Sequence, residues 1–232
     1  MPVEQLLVLA LLAGVVGLDV VSFPQAMVSR PIVAATLGGA FLGDAVAGLV
    51  TGAALECLAL ESLPVGASRY PEWGSASVVA GAVATRGTAE GALPTPAAFA
   101  VAVLVGIAAA WFAGWAVVKQ RQRIAAFARP RLPRLAAGDR DTVVAIQLVG
   151  MAIDLARGTG VGLLFSLPAW ALAGWVEPRW TLPEPVARAA VVTAVAAVAA
   201  AAVWKDFHAI SGTRRLFLLS LAAGTAVVFL GA

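Results

Sequence analysis

Acidic side chains inside apolar stretches are the residues of this sequence best placed to do chemistry. Asp19, Asp44 and Glu56 each interrupt a hydrophobic run, and Glu61 follows closely after one. A carboxylate within such a run costs about 2.5 kcal/mol or more at the centre of a membrane unless it is paired or hydrated. These acids therefore predict a buried ion pair or a substrate site in a watery cavity, as in a transporter.

A second group of candidates lies in the polar break at residues 68–75, which reads SRYPEWGS. It brings Arg69, Tyr70, Glu72 and Trp73 together within a few positions. The group is either part of a substrate site or an anchor at the membrane surface, where Tyr and Trp are favoured.

Three other charged residues indicate structural roles. Asp44 follows Gly43 and is expected to cap the start of a helix, since Asp accepts hydrogen bonds from free backbone N–H groups. Asp154 and Arg157 stand three positions apart, on one face of a predicted helix, and are expected to pair.

Several chemistries are excluded by residue counts and missing motifs. With one Cys and one His, the chain forms no internal disulfide and no zinc site of the Cys/His kind. The glycines at 158–162 follow no predicted strand, and the sequence contains no Walker motif, so neither a dinucleotide site nor direct use of ATP is supported. No cofactor is expected.

The elements that position these residues are membrane helices. The 232 residues are 61% hydrophobic and 12% charged, whereas soluble domains carry about 25% charged residues. We predict an all-α integral membrane protein with several transmembrane helices and broken or re-entrant helical segments. Three apolar runs approach the roughly 20 residues of a full span: 97–118, 159–176 and 186–204. Three others do not fit as simple spans: 5–22, 32–60 and 75–84.

The basic residues predict the orientation and a division into three parts. Residues 119–140 carry seven basic side chains and one acid, and 205–215 carry three and one. Both segments are expected in the cytoplasm, as loops that set orientation and contact anionic lipids or as a docking surface. We predict that 1–118 is a broken-helix, substrate-handling half and 119–140 a cytoplasmic loop. Residues 141–232 are expected to form an amphipathic surface helix over 143–157, two spanning helices and a C-terminal re-entrant segment.

Residues 29–60 resemble the IIC subunit of the mannose-family (mannose/fructose/sorbose) sugar phosphotransferase system. The resemblance rests on Ser29-Arg30-Pro31, on Leu42-Gly43-Asp44 and on the segment from Leu55 to Leu60 that contains Glu56. Farther along, Val65-Gly66-Ala67 and Pro71-Glu72 match a hydrophobic-Gly-Ala step and a Pro-Asp pair of the family. Over the rest of the chain the resemblance is looser.

The resemblance implies a transport subunit of the bacterial inner membrane rather than an enzyme. Such a subunit passes a hexose-like sugar to a cytoplasmic IIB subunit, and phosphoryl transfer takes place on separate IIA and IIB subunits. It also works with a IID-type membrane subunit, so a hetero-oligomer is expected, with no nucleic acid as partner. The substrate-binding residues implied are Glu56, Glu61, Gly66, Ala67, Arg69, Glu72, Trp73 and Gln25.

Two departures from the family keep other interpretations open. Pro64 stands where the family has an Asn, and only Gln25 remains of a more acidic segment before the Arg-Pro pair. Glu56 is a sugar ligand or a structural ion-pair partner of Arg69 or of another subunit. The chain as a whole is a sugar transporter, a non-transporting scaffold that recruits phosphotransferase components, or an unrelated ion-coupled transporter.

Overall fold

The computed structural model describes residues 1–60, 69–207 and 211–230, and all regular secondary structure in these ranges is helical. The all-α prediction is confirmed. The helices are α1 Val3–Val21, α2 Pro31–Phe41, α3 Ala45–Ala59, α4 Trp73–Ala84, α5 Pro96–Ala128, α6 Leu132–Ala136, α7 Arg140–Val176, α8 Glu184–Phe207 and α9 Thr213–Leu230. Short 3-10 turns at Arg129–Arg131 and Glu177–Arg179 follow α5 and α7.

Four segments are long and apolar enough to cross a membrane: Val3–Val21, Pro96–Ala136, Arg140–Arg179 and Glu184–Lys205. Three of them contain the predicted spans. The expectation that 5–22 is no simple span was wrong, because α1 runs unbroken through Asp19. By contrast α2, α3 and α4 have 11, 15 and 12 residues. At a rise of 1.5 Å per residue each is shorter than a bilayer core of about 30 Å.

Helices α2 and α3 form a hairpin, and the residue types at Gly43 and Asp44 favour the turn between them. Gly43 adopts a positive φ of 96°, which a residue with a side chain rarely takes. Asp44 then caps α3, because its Oδ1 accepts hydrogen bonds of 3.0 Å from the backbone N–H groups of Val46 and Ala47. The predicted capping role of Asp44 is confirmed.

Glycines bring the short helices into backbone contact. A methyl group added at Gly38 of α2 would collide with the backbone of Val78 in α4, and one at Gly81 of α4 would collide with the backbone of Ala35 in α2. At Gly48 the obstacle is again Ala35. These glycines are therefore used for close contacts within the chain, between α2, α3 and α4.

Helix α4 lies at the centre of the bundle. It contacts α1, α2, α3, α5 and α7, and all its residues from Gly74 to Ala84 are buried. Outside this centre, α1 packs along α7, so the first helix contacts the second half of the chain.

The structure corrects two expectations about the second half. Residues 119–128 continue α5 as helix, so the basic segment begins on a helix rather than in a loop. Residues 143–157 and 159–176 are parts of one 37-residue helix, α7, and not a surface helix followed by a span. The charges that interrupt this apolar run, Asp154 and Arg157, are buried against neighbouring helices, so they do not end the helix.

Candidate functional site

A cavity of about 230 Å³ opens where the short helices meet. Its walls come from the end of α1, the residues before α2, the last turn of α3 and the start of α4. Apolar side chains such as Val20, Ala59 and Leu60 line part of it. The polar and aromatic lining consists of Ser29, Arg30, Glu56, Tyr70 and Trp73.

Glu56 is the carboxylate of this cavity. One of its oxygens forms an ion pair with Arg30, and the other accepts a 3.2 Å hydrogen bond from the backbone N–H of Ile32. Ile32 lies in the first turn of α2, whose partial positive charge also favours a carboxylate. The side chain of Glu56 is 17% exposed and that of Arg30 is 53% exposed, so the pair stands at the boundary between protein and open space.

Asp19 fixes the segment that carries Ser29 and Arg30. Its carboxylate accepts hydrogen bonds from the backbone N–H of Ala26 at 2.6 Å, and from the backbone N–H and the hydroxyl of Ser29, both at 2.8 Å. Asp19 is itself 4% exposed. The sequence showed Asp19 as an interruption of an apolar run, and the structure shows that it anchors the loop after α1.

The aromatic side of the cavity touches the basic segment. Arg121 donates a 2.8 Å hydrogen bond from Nη2 to the hydroxyl of Tyr70, and its guanidinium lies 5.3 Å from the centre of the Tyr70 ring. A cation over an aromatic face is attracted by the ring quadrupole. The cavity therefore lies near the end of the molecule that carries residues 119–140.

A buried ion network lies behind the cavity, centred on Arg157 of α7. Its Nη1 donates to Glu72 at 2.8 Å, Nη2 to Asp154 at 2.6 Å and Nε to Gln120 at 3.0 Å. Nη2 also reaches the carbonyl oxygen of Gly17 in α1 at 3.2 Å. One guanidinium thus links α1, α4, α5 and α7, which matches its fixed fork of five donors.

Hydroxyl groups complete this network, which holds two carboxylates for one cation. Ser22 donates a 2.7 Å hydrogen bond to Asp154, and the hydroxyl of Ser75 donates to Glu72. Glu72 also caps α4 through the backbone N–H of Ser75, at 3.0 Å. The second negative charge is therefore met by hydroxyl donors and by the N-terminus of α4.

The structure separates the predicted site residues. It brings Glu56 and Trp73 to the cavity, together with Arg30 and Tyr70. Glu72 is fully buried in the Arg157 network instead.

Two further predicted residues lie at the surface, and three fall outside the described ranges. Arg69 is exposed. Gln25 is exposed and donates from Nε2 to the carbonyl oxygen of Val21 at 3.1 Å. Glu61, Gly66 and Ala67 lie outside the described residues.

Sequence reasoning found the Asp154–Arg157 pair and missed its distant partners. The pair is confirmed and follows from a spacing of three residues. Glu72 and Gln120 join it from 85 and 37 positions away. The only signal for them in the sequence was a polar residue within or beside an apolar run. In the described parts of the chain, no His, Cys, Asp and Glu side chains assemble into a group of three or more that could hold a metal ion.

Comparisons with known proteins agree with this architecture. A family model described as "PTS system sorbose-specific iic component" matches residues 3–164. The chain is 34% identical over 109 residues to the "Fructose permease IIC component" of Bacillus subtilis (strain 168). That match covers 46% of this chain and 37% of the relative, so it spans little more than a third of the relative's length.

A solved structure named "Structure of membrane protein" shares the fold. Its TM-score is 0.69 at 19% sequence identity, and the match covers 100% of this chain and 92% of the other. At this identity the likeness shows the fold alone. The family model, which covers well over half of the chain, shows more: the chain belongs to the family of sorbose-specific IIC components of the phosphotransferase system.

Proposed function

We propose that this chain is the sugar-translocating membrane subunit of a mannose-type phosphotransferase system, which passes a hexose-like sugar to a cytoplasmic IIB subunit. The observation that carries the proposal is the Arg30–Glu56 pair within a cavity of about 230 Å³. Membership of the IIC family and the similarity to a fructose permease component support it.

The chemistry of the cavity suits a sugar. A carboxylate accepts hydrogen bonds from neighbouring hydroxyl groups, and aromatic faces pack against the C–H groups of a pyranose. In this proposal Glu56 is the acceptor, and Tyr70 and Trp73 form the aromatic wall. The residues Glu61, Gly66 and Ala67, which follow α3 in sequence, stay a prediction as further ligands.

Binding requires an exchange of partners at Glu56. Both carboxylate oxygens are occupied, one by Arg30 and one by the backbone N–H of Ile32. A sugar hydroxyl that reaches the first oxygen must displace Arg30, whose side chain is half exposed. The ion pair therefore closes the empty site and opens as the sugar arrives.

The position of the cavity supports delivery toward the cytoplasm. The contact of Tyr70 with Arg121 places the cavity beside the basic segment 119–140, which the positive-inside rule assigns to the cytoplasm. In this arrangement the sugar lies close to the side on which a IIB subunit phosphorylates it. Residues 1–118 supply every wall of the cavity, in agreement with a substrate-handling role for this half.

The test compares Glu56→Gln with Glu90→Gln. Glu90 is an exposed residue outside the cavity, so the control makes the same carboxylate-to-amide change away from the site. In membranes containing this chain and a IID-type subunit, we expect Glu56→Gln to weaken binding of fructose, sorbose or mannose more than tenfold, about 1.4 kcal/mol or more. Glu90→Gln should bind as the wild type does. Equal sugar affinity in both variants would show that Glu56 is not a sugar ligand.

The partner subunits are tested by co-expression. We propose that a IID-type membrane subunit completes the site and that IIA and IIB carry the phosphoryl group. Sugar uptake with phosphorylation should appear only in cells that hold the full set, and should be lost when this chain is left out. A complex that assembles with all partners and transports no hexose would support a scaffold instead.

A further inference from the structure

A groove between α5 and α7 lies apart from the sugar cavity and has a volume of about 500 Å³. One wall is a stripe of α5 at spacings of three and four residues: Phe112, Trp115, Lys119 and Arg123. The facing wall is a matching stripe of α7: Ile153, Ala156, Gly160 and Leu164. Gln120 and Arg157, which are tied to each other in the buried network, form the floor.

The groove is apolar at one end and cationic at the other. Phe112 and Trp115 are 38% and 45% exposed, and the facing Leu164 is 53% exposed. Lys119 and Arg123 follow one and two helical turns later, both exposed. Among the described residues, neither cation has an ion-pair partner. The groove therefore presents two uncompensated positive charges next to an exposed apolar surface.

The dimensions fit one half of a bilayer. From Phe112 to Arg123 the helix rises about 16 Å, at 1.5 Å per residue. Half of a hydrocarbon core is about 15 Å thick. The middle of the groove is hollow because the facing wall there consists of the small residues Ala156 and Gly160, and a methyl group added at Gly160 would meet nothing within 4 Å.

We infer that this groove binds an anionic glycerophospholipid, with the headgroup phosphate on Lys119 and Arg123 and an acyl chain against Phe112, Trp115 and Leu164. Charge complementarity selects this occupant: basic pockets between membrane helices bind anionic headgroups, and long cationic side chains extend from the apolar region to reach them. The apolar end explains why a membrane lipid rather than a free phosphate is the ligand.

A lipid bound in the groove would also contact residues of the buried ion network. It covers the outer face of Gln120 and Arg157, the two groove residues that hold α5 against α7. Binding of an anionic headgroup beside them would stabilise the α5–α7 contact in the folded chain.

The experiment measures lipid retention by native mass spectrometry of the purified full-length chain, titrated with phosphatidylglycerol or phosphatidylcholine. We expect the wild type to retain phosphatidylglycerol in preference to phosphatidylcholine, and inorganic phosphate not to displace it. Lys119→Gln with Arg123→Gln should bind phosphatidylglycerol about 25-fold more weakly, about fivefold for each cation. The control, Arg129→Gln with Arg134→Gln, removes two exposed basic residues outside the groove and should bind like the wild type.

A second variant tests the apolar end without changing any charge. Gly160→Leu fills the hollow that the acyl chain would occupy, and it should lower retention of phosphatidylglycerol while the thermal transition stays close to that of the wild type. Equal losses in the groove and control variants would show general electrostatic attraction and overturn the site. Unchanged retention in Gly160→Leu, or no preference of the wild type for phosphatidylglycerol over phosphatidylcholine, would overturn it too.

Discussion

At the scale of single residues, the pairing of Arg30 with Glu56 decides how strongly the cavity holds its ligand. Arg30 competes with the sugar for one carboxylate oxygen in the proposed mechanism. A half-exposed ion pair contributes at most about 1 kcal/mol. We therefore expect Arg30→Gln to tighten sugar binding by up to about fivefold, measured by equilibrium binding to membranes. Arg179→Gln, at an exposed arginine far along the chain, is the control. Weaker binding in Arg30→Gln would make Arg30 a ligand instead of a competitor.

Arg157 joins α1, α4, α5 and α7 through one buried guanidinium. Its side chain is 5% exposed and forms ion pairs with two carboxylates that are fully buried. Removing one partner of a buried ion pair leaves an uncompensated charge, at a cost of about 3–5 kcal/mol. Arg157→Met should therefore lower the thermal transition in detergent sharply. Arg179→Met should change it little, because Arg179 is exposed and its contacts are local, a hydrogen bond to the carbonyl oxygen of Trp175 and a cation–π contact with the same residue's ring. An unchanged transition in Arg157→Met would show that Glu72 and Asp154 find other donors.

At the scale of elements, the contact between α2 and α4 is set by Gly38 and Gly81. A methyl group at Gly81 would overlap the backbone of Ala35, and backbone cannot move aside as a flexible side chain can. We expect Gly81→Ala to destabilise the fold by about 1–3 kcal/mol. Gly224→Ala is the matched control, since a methyl group there meets nothing within 4 Å. Equal thermal transitions for the two variants would mean that the helices separate at no cost.

The helices show which sequence signals suffice and which do not. Apolar length located the spans over 97–118 and 186–204, and the Gly43-Asp44 step located the turn between α2 and α3. The assumption that a charged residue ends a helical span was wrong for α1 and for α7. Asp19 is satisfied by a loop seven to ten residues away, and Arg157 by three other helices. Long-range partners of this kind are set by packing and leave no periodic pattern in the sequence.

The cavity was predictable only in part for the same reason. Glu56 stood out because a carboxylate in an apolar run needs a partner. Its actual partner among the described residues is Arg30 and not Arg69, because the last turn of α3 lies against the start of α2. Glu72 and Trp73 are neighbours in sequence, yet one faces the buried network and the other the cavity. Adjacent helix positions point in directions about 100° apart, and only the packing decides which of them meets a ligand.

At the scale of the whole molecule, the fact that α7 is one continuous helix determines which segments lie on the same side of the membrane. The chain is a multi-pass protein of the bacterial inner membrane. Because residues 140–176 form one helix, they make one crossing, and α8 returns across the membrane. The basic segments 119–140 and 205–215 then share one side, which the positive-inside rule assigns to the cytoplasm.

This orientation predicts the labelling of single cysteines in a Cys57→Ser background. Ala136 lies in the basic segment and Thr181 in the connection between α7 and α8, and both are exposed. Membrane-impermeant thiol reagents should modify Thr181→Cys in intact cells and Ala136→Cys only after the cells are opened. The reverse labelling pattern would show that the protein has the opposite orientation in the membrane.

The ion pair in the cavity also has a consequence for the voltage dependence of the proposed transport. Arg30 and Glu56 sum to zero and a hexose is neutral, so this pair and its ligand add no net charge to a site that crosses the electric field. A single uncompensated charge would couple to the potential by about 2.3 kcal/mol per 100 mV. Sugar exchange in proteoliposomes that hold the assembled complex should therefore be insensitive to an imposed potassium diffusion potential. Arg30→Gln keeps the carboxylate and loses its counter-charge, and its exchange should become voltage-dependent. A wild type that responds to voltage would reveal a further charge that moves with the sugar.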